Sequence, residues 1–300
     1  MITFPAENVF IEGPDLSGKT TLVKNIHLKT KYKWHISDRS KISRLIFAEM
    51  FGRDTVGLKK EFLYEVSNLN NRYVFILPSF KTIKERYFLR GDDIHNLESL
   101  EESYKMFQSA FVNFGRFSNV FAISSDTPER VEELSMKHLT SVENLSLENI
   151  SSYAQTFIKV FPRKECNDLR FTIVDDCSFS EADPSILNTQ GEEEYYSRIF
   201  KSIMRKIDSE LLGINEYARV EGFDSRRFIY TDDTCISMIH ALNREGILDI
   251  RFVCRSTDMI NKFYHDLRFL YFVGSKIYEK IGNSCNTTRM HFTLNSAHII

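Results

Sequence analysis

Residues 10–22 read FIEGPDLSGKTTL, and within them Gly13-Pro14-Asp15-Leu16-Ser17-Gly18-Lys19-Thr20 fits the pattern G-x-x-x-x-G-K-[ST]. Each fixed position has a physical reason. Glycines at 13 and 18 let the backbone curl so that its N–H groups face phosphate oxygens. A helix beginning at Lys19 adds the positive end of its dipole. Lys19 can reach terminal phosphates, and the Thr20 hydroxyl can hold magnesium. The stretch therefore predicts ATP with Mg2+ on Gly13, Asp15, Ser17, Gly18, Lys19, Thr20 and Thr21, with Thr20 as the metal ligand.

The surroundings give this motif its context. NVFIE at 8–12 is a short apolar run of the kind a buried strand makes, and Lys19 to about Lys29 reads as a helix. Further strands are expected at 33–37, 72–77 and 118–124. Helices are expected over 41–70, where Ile42, Leu45, Ile46 and Met50 recur every three or four residues, and over 80–90, 97–115 and 128–138. Alternating strands and helices predict an α/β fold, a parallel sheet with helices on both faces. Residues 139–193 turn polar and rich in turn formers, which places a boundary near 165–190. The expected domains are 1–165 and 190–300. The second carries a helix at 194–211, a strand at 247–254 and an aromatic helix from Met259 to Ile281.

Composition narrows the function classes. The chain has 300 residues, 42% of them hydrophobic, with 25 Phe and 13 Tyr, enough for packed cores. No apolar run is long enough to span a membrane, and the N-terminus lacks a secretion signal. The net charge of −2 gives no general attraction to nucleic acid, which stays open as a partner but is not favoured. Cys166, Cys177, Cys235, Cys254 and Cys285 are odd in number and scattered, without a CxxC pair. That argues against zinc and for a reduced, cytoplasmic setting.

EGPDLSGKTTL resembles the opening of thymidylate kinases and related deoxynucleotide and deoxynucleoside kinases. DRSKIS at 38–43 is similar to their D-R-x-x-x-S signature, and FILPSFKTIKERYFLRGDD at 75–93 to their strand and lid helix. The resemblance covers roughly residues 5–140. It implies a phosphate-loop, three-layer α/β sandwich. It also implies phosphoryl transfer in which Lys19 stabilises the moving group, Asp38 and Arg39 orient the acceptor, and Arg86 and Arg90 cover the donor phosphates. The DRS segment follows the loop closely, so the strand and substrate helix that usually intervene are shortened.

The second half carries a different set. Ser225-Arg226-Arg227, Cys235, Arg255-Ser256-Thr257-Asp258, Asp266 and a terminal LNSAHII together resemble thymidylate synthase and deoxycytidylate hydroxymethylase. The resemblance implies a smaller α+β domain that binds a pyrimidine nucleotide. Arg226, Arg227, Arg255 and Ser256 would hold its phosphate, the first two across a homodimer interface. Asp258, His298 and Cys235 would complete the pocket. Asp266 stands where the family reads the pyrimidine edge, and a carboxyl there suits cytosine. The family's large folate-side segment has no room between 195 and 225, and Thr234 and Ile236 replace the usual neighbours of the nucleophilic cysteine. Folate-dependent transfer is therefore disfavoured, and Cys235 as a plain buried thiol stays an equal reading. Asp175-Asp176 and Asp232-Asp233 read as solvated turns, and His291 and His298 as free of metal.

Together these features predict a kinase acting on a pyrimidine deoxynucleotide, with or without a modified base, joined to a nucleotide-binding second domain. The pairing of two deoxynucleotide modules suggests a phage-like economy. Three alternatives stay open: a kinase acting on a modified base within DNA, a non-catalytic nucleotide-binding or assembly protein, and a dCMP or dUMP C5-modifying enzyme.

Overall fold

The computed structural model describes residues 1–92, 94–189, 191–221 and 227–300, with backbone alone over 210–221. The chain divides into two compact units, residues 6–143 and residues 1–5 plus 144–300. The first strand, β1 (Ile2–Thr3), belongs to the second unit.

The first unit is built on a four-stranded parallel sheet of β2 (Asn8–Glu12), β3 (Ile36–Ser37), β4 (Asn71–Ile76) and β5 (Val120–Ile123), in the order β3-β2-β4-β5. Its helices are α1 (Lys19–Thr30), α2 (Lys41–Met50), α3 (Val56–Val66), α4 (Phe80–Arg90), α5 (Leu97–Phe114) and α6 (Pro128–Ser141). Every residue of β4 is buried, as expected of a parallel strand covered on both faces. On one face Val9, Ile11, Val74, Ile76 and Ile123 pack against Leu22 and Ile26 of α1 and Val131 and Leu139 of α6. On the other, Phe75 meets Phe107 and Phe111 of α5 edge-on, at 6.1 and 5.7 Å between ring centroids. Phe107 in turn meets Phe47 of α2 at 5.8 Å.

The helix expected over 41–70 is two helices. Residues 51–55 interrupt it, where Gly52 takes a left-handed φ of 62° and the Asp54 carboxylate accepts the Val56 N–H at 3.0 Å to start α3.

The second unit contains α7 (Leu147–Val160), β6 (Glu165–Cys166), β7 (Leu169–Asp175), α8 (Glu193–Glu221), β8 (Arg227–Thr231), β9 (Ile236–Arg244), β10 (Ile247–Cys254), β11 (Thr257–Asp258), α9 (Phe263–Ile277), β12 (Thr287–Leu294) and β13 (Ala297–His298). A mixed six-stranded sheet runs β1-β7-β12-β10-β9-β8, and a small one runs β11-β13-β6. Alternate residues of the large sheet, among them Phe171, Ile250, Phe252, Met290 and Phe292, are buried.

Here the structure departs from the sequence reading. The division falls at 143/144 rather than within 165–190, and the C-terminal unit is the larger of the two, not the smaller. The polar stretch 139–193 concealed α7, which packs on α9, and β7, which pairs with β12 along seven residues. The helix expected from Met259 to Ile281 is shorter, Phe263–Ile277, followed by a π-turn over Tyr278–Gly282. Asp175 is not a solvated turn residue. It is fully buried, and it accepts the Phe179 N–H at 3.0 Å and the Tyr271 hydroxyl at 2.7 Å. Its neighbour Asp176 is exposed and pairs with the Met1 amino group. Among the described residues no helix is long and apolar enough to cross a membrane, and all five cysteines are free thiols.

In the first unit His138 lies flat on Phe121, with centroids 4.3 Å apart, and its Nε2 is buried without a hydrogen-bond partner. Burial, reinforced by the Arg72 charge, pulls its pKa down to about 4. The folded value lies below the ordinary 6.5, so between the two the unfolded chain binds the extra proton. Stability is therefore complete above pH 6.5 and falls by about 2–3 kcal/mol as pH drops to 4. Unfolding of the wild type and His138→Phe across this window checks it: the variant should lose that slope.

Candidate functional site

The Gly13–Thr20 loop joins the end of β2 to the start of α1. Its path depends on close contacts. Gly13 has φ 151°, and a Cβ there would stand 2.3 Å from the Ile76 carbonyl oxygen of β4. Leu16, at a left-handed φ of 63°, buries its side chain with Ile83 of α4 and Leu100 of α5. Gly18 caps α1 at φ 100°. Among the described residues, no hydrogen bond is made by the backbone N–H groups of Asp15, Leu16, Gly18, Lys19, Thr20 or Thr21, whereas Ser17 N–H donates to Pro14 O at 3.3 Å. Unpaired donors at a helix N-terminus form an anion cradle. Lys19 is 8% exposed, and its amine donates to the carbonyls of Gly13 and Pro14 at 2.8 and 2.7 Å. Burial lowers its pKa, with Asp15 and Glu12 opposing the shift.

A cavity of about 360 Å³ opens over this loop. Asp15, Ser17, Gly18, Lys19, Thr20 and Thr21 line it, and so do Asp38, Arg39, Arg86 and Arg90. The first-unit residues singled out in the sequence thus gather in one place, apart from Gly13, which lies beneath the loop. Arg86 donates to the Leu16 carbonyl at 2.7 Å, tying α4 to the loop.

A second cavity, of about 540 Å³, shares Asp15 and Arg39 with the first. Arg44, Phe47, Phe51, Arg53, Ile94 and His95 form much of its wall. The Arg39 guanidinium lies 5.3 Å from the Phe47 ring centre and 3.4 Å from Asp15 Oδ1. Phe47 also stacks on His95 at 6.2 Å. Three arginines and two accessible rings suit an anionic, flat ligand.

Glu12 holds the two walls in register. It is fully buried at the end of β2, accepts the Ser40 N–H at 2.5 Å and the Ser43 hydroxyl, and so fixes the start of α2 just after Asp38 and Arg39. Burial raises its pKa, and the two serines and Lys19 oppose that. Sequence reading passed over Glu12, although an acid closing an apolar strand was a visible signal. It also passed over Arg44, Phe47, Phe51 and Arg53, which look like ordinary helix periodicity. His95 had no local signal at all.

In the second unit Cys235 is exposed, which overturns the reading of a plain buried thiol. Its carbonyl accepts the Arg255 N–H at 2.7 Å, and the Arg255 side chain donates to the Asp233 carbonyl at 3.2 Å. Tyr195 hydrogen-bonds to Cys235, and burial, then the charges of Cys235 and Asp266, raise its pKa. Asp266 accepts the Tyr196 hydroxyl at 2.8 Å, and burial pushes its carboxyl up to about 6. Asp258 and His298 are register partners in the small sheet, and Ser256 stands two residues before Asp258. Asp258 accepts the N–H groups of Ile260 and Asn261 at 3.0 and 3.3 Å, so part of its capacity is spent on a local turn. Arg227 stands at the far end of the β8–β9 hairpin, paired with Leu242, and is not brought to Cys235 within one chain. Arg226 lies outside the described residues.

Among the described residues no group of three or more His, Cys, Asp or Glu lies together as a metal site. Comparison with protein-family models and with curated proteins finds no match to this chain.

Gly13→Ala should destabilise the first unit by roughly 1–3 kcal/mol and abolish binding of inorganic triphosphate. Gly52→Ala, at φ 62° with nothing within 4 Å, is the control. Urea unfolding and calorimetric titration should show it losing stability through backbone strain alone, with the triphosphate still bound.

Proposed function

We propose that the chain is an ATP-dependent phosphotransferase whose acceptor is a pyrimidine deoxynucleotide. The observation that carries this reading is the meeting of two cavities at Asp15 and Arg39: one over unpaired loop N–H groups, the other walled by arginines and aromatic rings. The loop motif, the DRS segment and the arginine-bearing α4, all similar to thymidylate kinases, support it, as do the four-stranded parallel sheet and the helices packed on both its faces.

In the proposed reaction the loop N–H groups and the α1 dipole hold the β- and γ-phosphates of ATP. Lys19 leaves the carbonyls of Gly13 and Pro14 for the transferred phosphoryl group. The Thr20 hydroxyl would hold Mg2+, which would supply positive charge against the charge developing on the transferred group. Arg86 and Arg90 close over the donor from α4. Asp38 and Arg39 orient the acceptor, whose ring rests on Phe47 and Phe51 while Arg44 and Arg53 bind its anionic part.

The second unit is proposed to bind a pyrimidine nucleotide beside Cys235, Arg255 and Asp266, in keeping with its resemblance to thymidylate synthase. Arg227 is too far along the hairpin to serve its own chain's pocket, which favours a homodimer in which it serves the partner's. Five free thiols favour a reducing compartment such as the cytoplasm.

Labelled ATP with Mg2+ offered to dTMP, dUMP, dCMP and their 5-hydroxymethyl forms tests the central reading. Label should pass to one class of acceptor and fall by at least about 10²-fold in Lys19→Ala. ATP binding without transfer to any acceptor would contradict it. For the second unit, Asp266→Asn should shift binding from dCMP toward dUMP by about tenfold, from one exchanged hydrogen bond.

A further inference from the structure

The cavity over the phosphate loop has two ends. One, at Asp15 and Arg39, is shared with the acceptor cavity. The other is formed by Asn25, near the middle of α1, and by Ser125, Asp126, Pro128 and Val131, where β5 leads into α6. A nucleotide whose γ-phosphate meets the acceptor at the first end must lay its base at the second. Pro128 and Val131 give that base apolar surface, and Asn25 gives it a polar group.

The Asn25 amide is not free to present either of its atoms. Its Nδ2 donates to Glu132 Oε2 at 2.9 Å, and Lys29 pairs with the other oxygen of the same carboxylate. Glu132 is 8% exposed, and the hydrogen bond from Lys29 holds its carboxyl below the ordinary carboxylate range, against the effect of burial. An ionised carboxylate only accepts, so the amide nitrogen must face it and the amide oxygen is the atom left over. Among the described residues no group donates to that oxygen.

The purines differ at the atom such an oxygen would meet. Adenine carries an amine at C6 and donates there. Guanine and hypoxanthine carry an oxygen at C6 and accept there. We propose that Asn25 reads the base of the donor nucleotide at this position, accepting from the adenine amine, and that Glu132, clamped by Lys29, sets the choice by fixing which way the amide points. This rests on the phosphotransferase reading above for what the cavity holds. Asn25 touches the base, whereas Glu132 is a positioning residue that acts through Asn25.

The neighbouring polar groups do not offer the opposite choice. A free carboxylate at this end would favour guanine, whose N1–H and C2 amine both donate. Asp126 is not free: its Oδ1 accepts the Ser79 N–H at 2.6 Å, and the hydroxyls of Thr82 and Ser79 also bond to it. Its capacity is spent on the start of α4. The Ser125 hydroxyl accepts the Thr127 N–H at 3.3 Å, and a hydroxyl that can both donate and accept serves either purine.

The test is calorimetric titration of the full chain with MgATP, MgGTP and MgITP, and with inorganic triphosphate as a probe of the loop alone. ITP carries the C6 oxygen without the C2 amine of guanine, so it isolates the position in question. The wild type should bind ATP at least about tenfold more tightly than ITP and GTP alike, from one hydrogen bond gained or lost. Asn25→Ala should bring the three nucleotides within about threefold of one another by weakening ATP. Glu132→Gln replaces an acceptor by a group that also donates, which frees the Asn25 amide to turn. Its preference for ATP over ITP should fall by about tenfold, with ITP gaining affinity. Both variants should bind inorganic triphosphate as the wild type does, a readout that general damage to the fold would lower. Equal wild-type affinity for ATP and ITP would overturn the inference, and so would a Glu132→Gln protein that keeps the full preference. The expected preference in a protein that transfers phosphate to no acceptor would uphold the inference and overturn the phosphotransferase reading instead.

Discussion

The backbone of Gly13 runs so close to the Ile76 carbonyl that no side chain fits between them, and the geometry of the first unit's site hangs on that contact. It fixes where β2 ends against β4 and sets the entry angle of the loop into α1. From there, Leu16 ties the loop to the α4–α5 core, and Arg86 bonds back to the Leu16 carbonyl. Glu12, the residue just before Gly13, reaches the other way and clasps Ser40 and Ser43. One strand end thus positions both the donor-side helix and the segment that carries Asp38 and Arg39.

Charge is arranged with the same economy. Lys19, Arg39 and His95 converge on Asp15 from three separate elements, and none of them closes off its second carboxylate oxygen with a good hydrogen bond. Buried polar atoms are normally satisfied, and exceptions tend to sit where ligands act. The second unit has a comparable concentration of titratable groups around Asp266, whose carboxyl is pushed up to about 6 beside Tyr195, Tyr196 and Cys235.

Much of the first unit was legible in the sequence because local signals agreed with one another. The NVFIE run, the two glycines and the helix after Lys19 each point to the same strand–loop–helix, and β4, α4, β5 and α6 follow from clear periodicity and from Pro78 and Pro128. Less was legible where tertiary packing decides. The periodicity over 41–70 gave no warning that Gly52 and Asp54 would split the helix. The LRFTIVD strand at 169–175 was hidden by polar flanks and by Asp175, whose burial is offset by partners distant in sequence. His95 reaches the site through the fold of a whole unit and carries no motif. In the second unit Arg255 bonds to the carbonyls of Cys235 and Asp233, while Arg227, whose role came only from a family resemblance, stands at the other end of the hairpin.

The most direct test of the account is a crystal structure of the full chain with Mg2+, a non-hydrolysable ATP analogue and an acceptor. The account predicts β- and γ-phosphates on the N–H groups of Gly18 to Thr21, Lys19 turned onto the γ-phosphate, and the acceptor on Phe47 and Phe51 with its reacting oxygen beside Asp15. A nucleotide bound elsewhere, with the loop still holding Lys19 against Gly13 and Pro14, would contradict it.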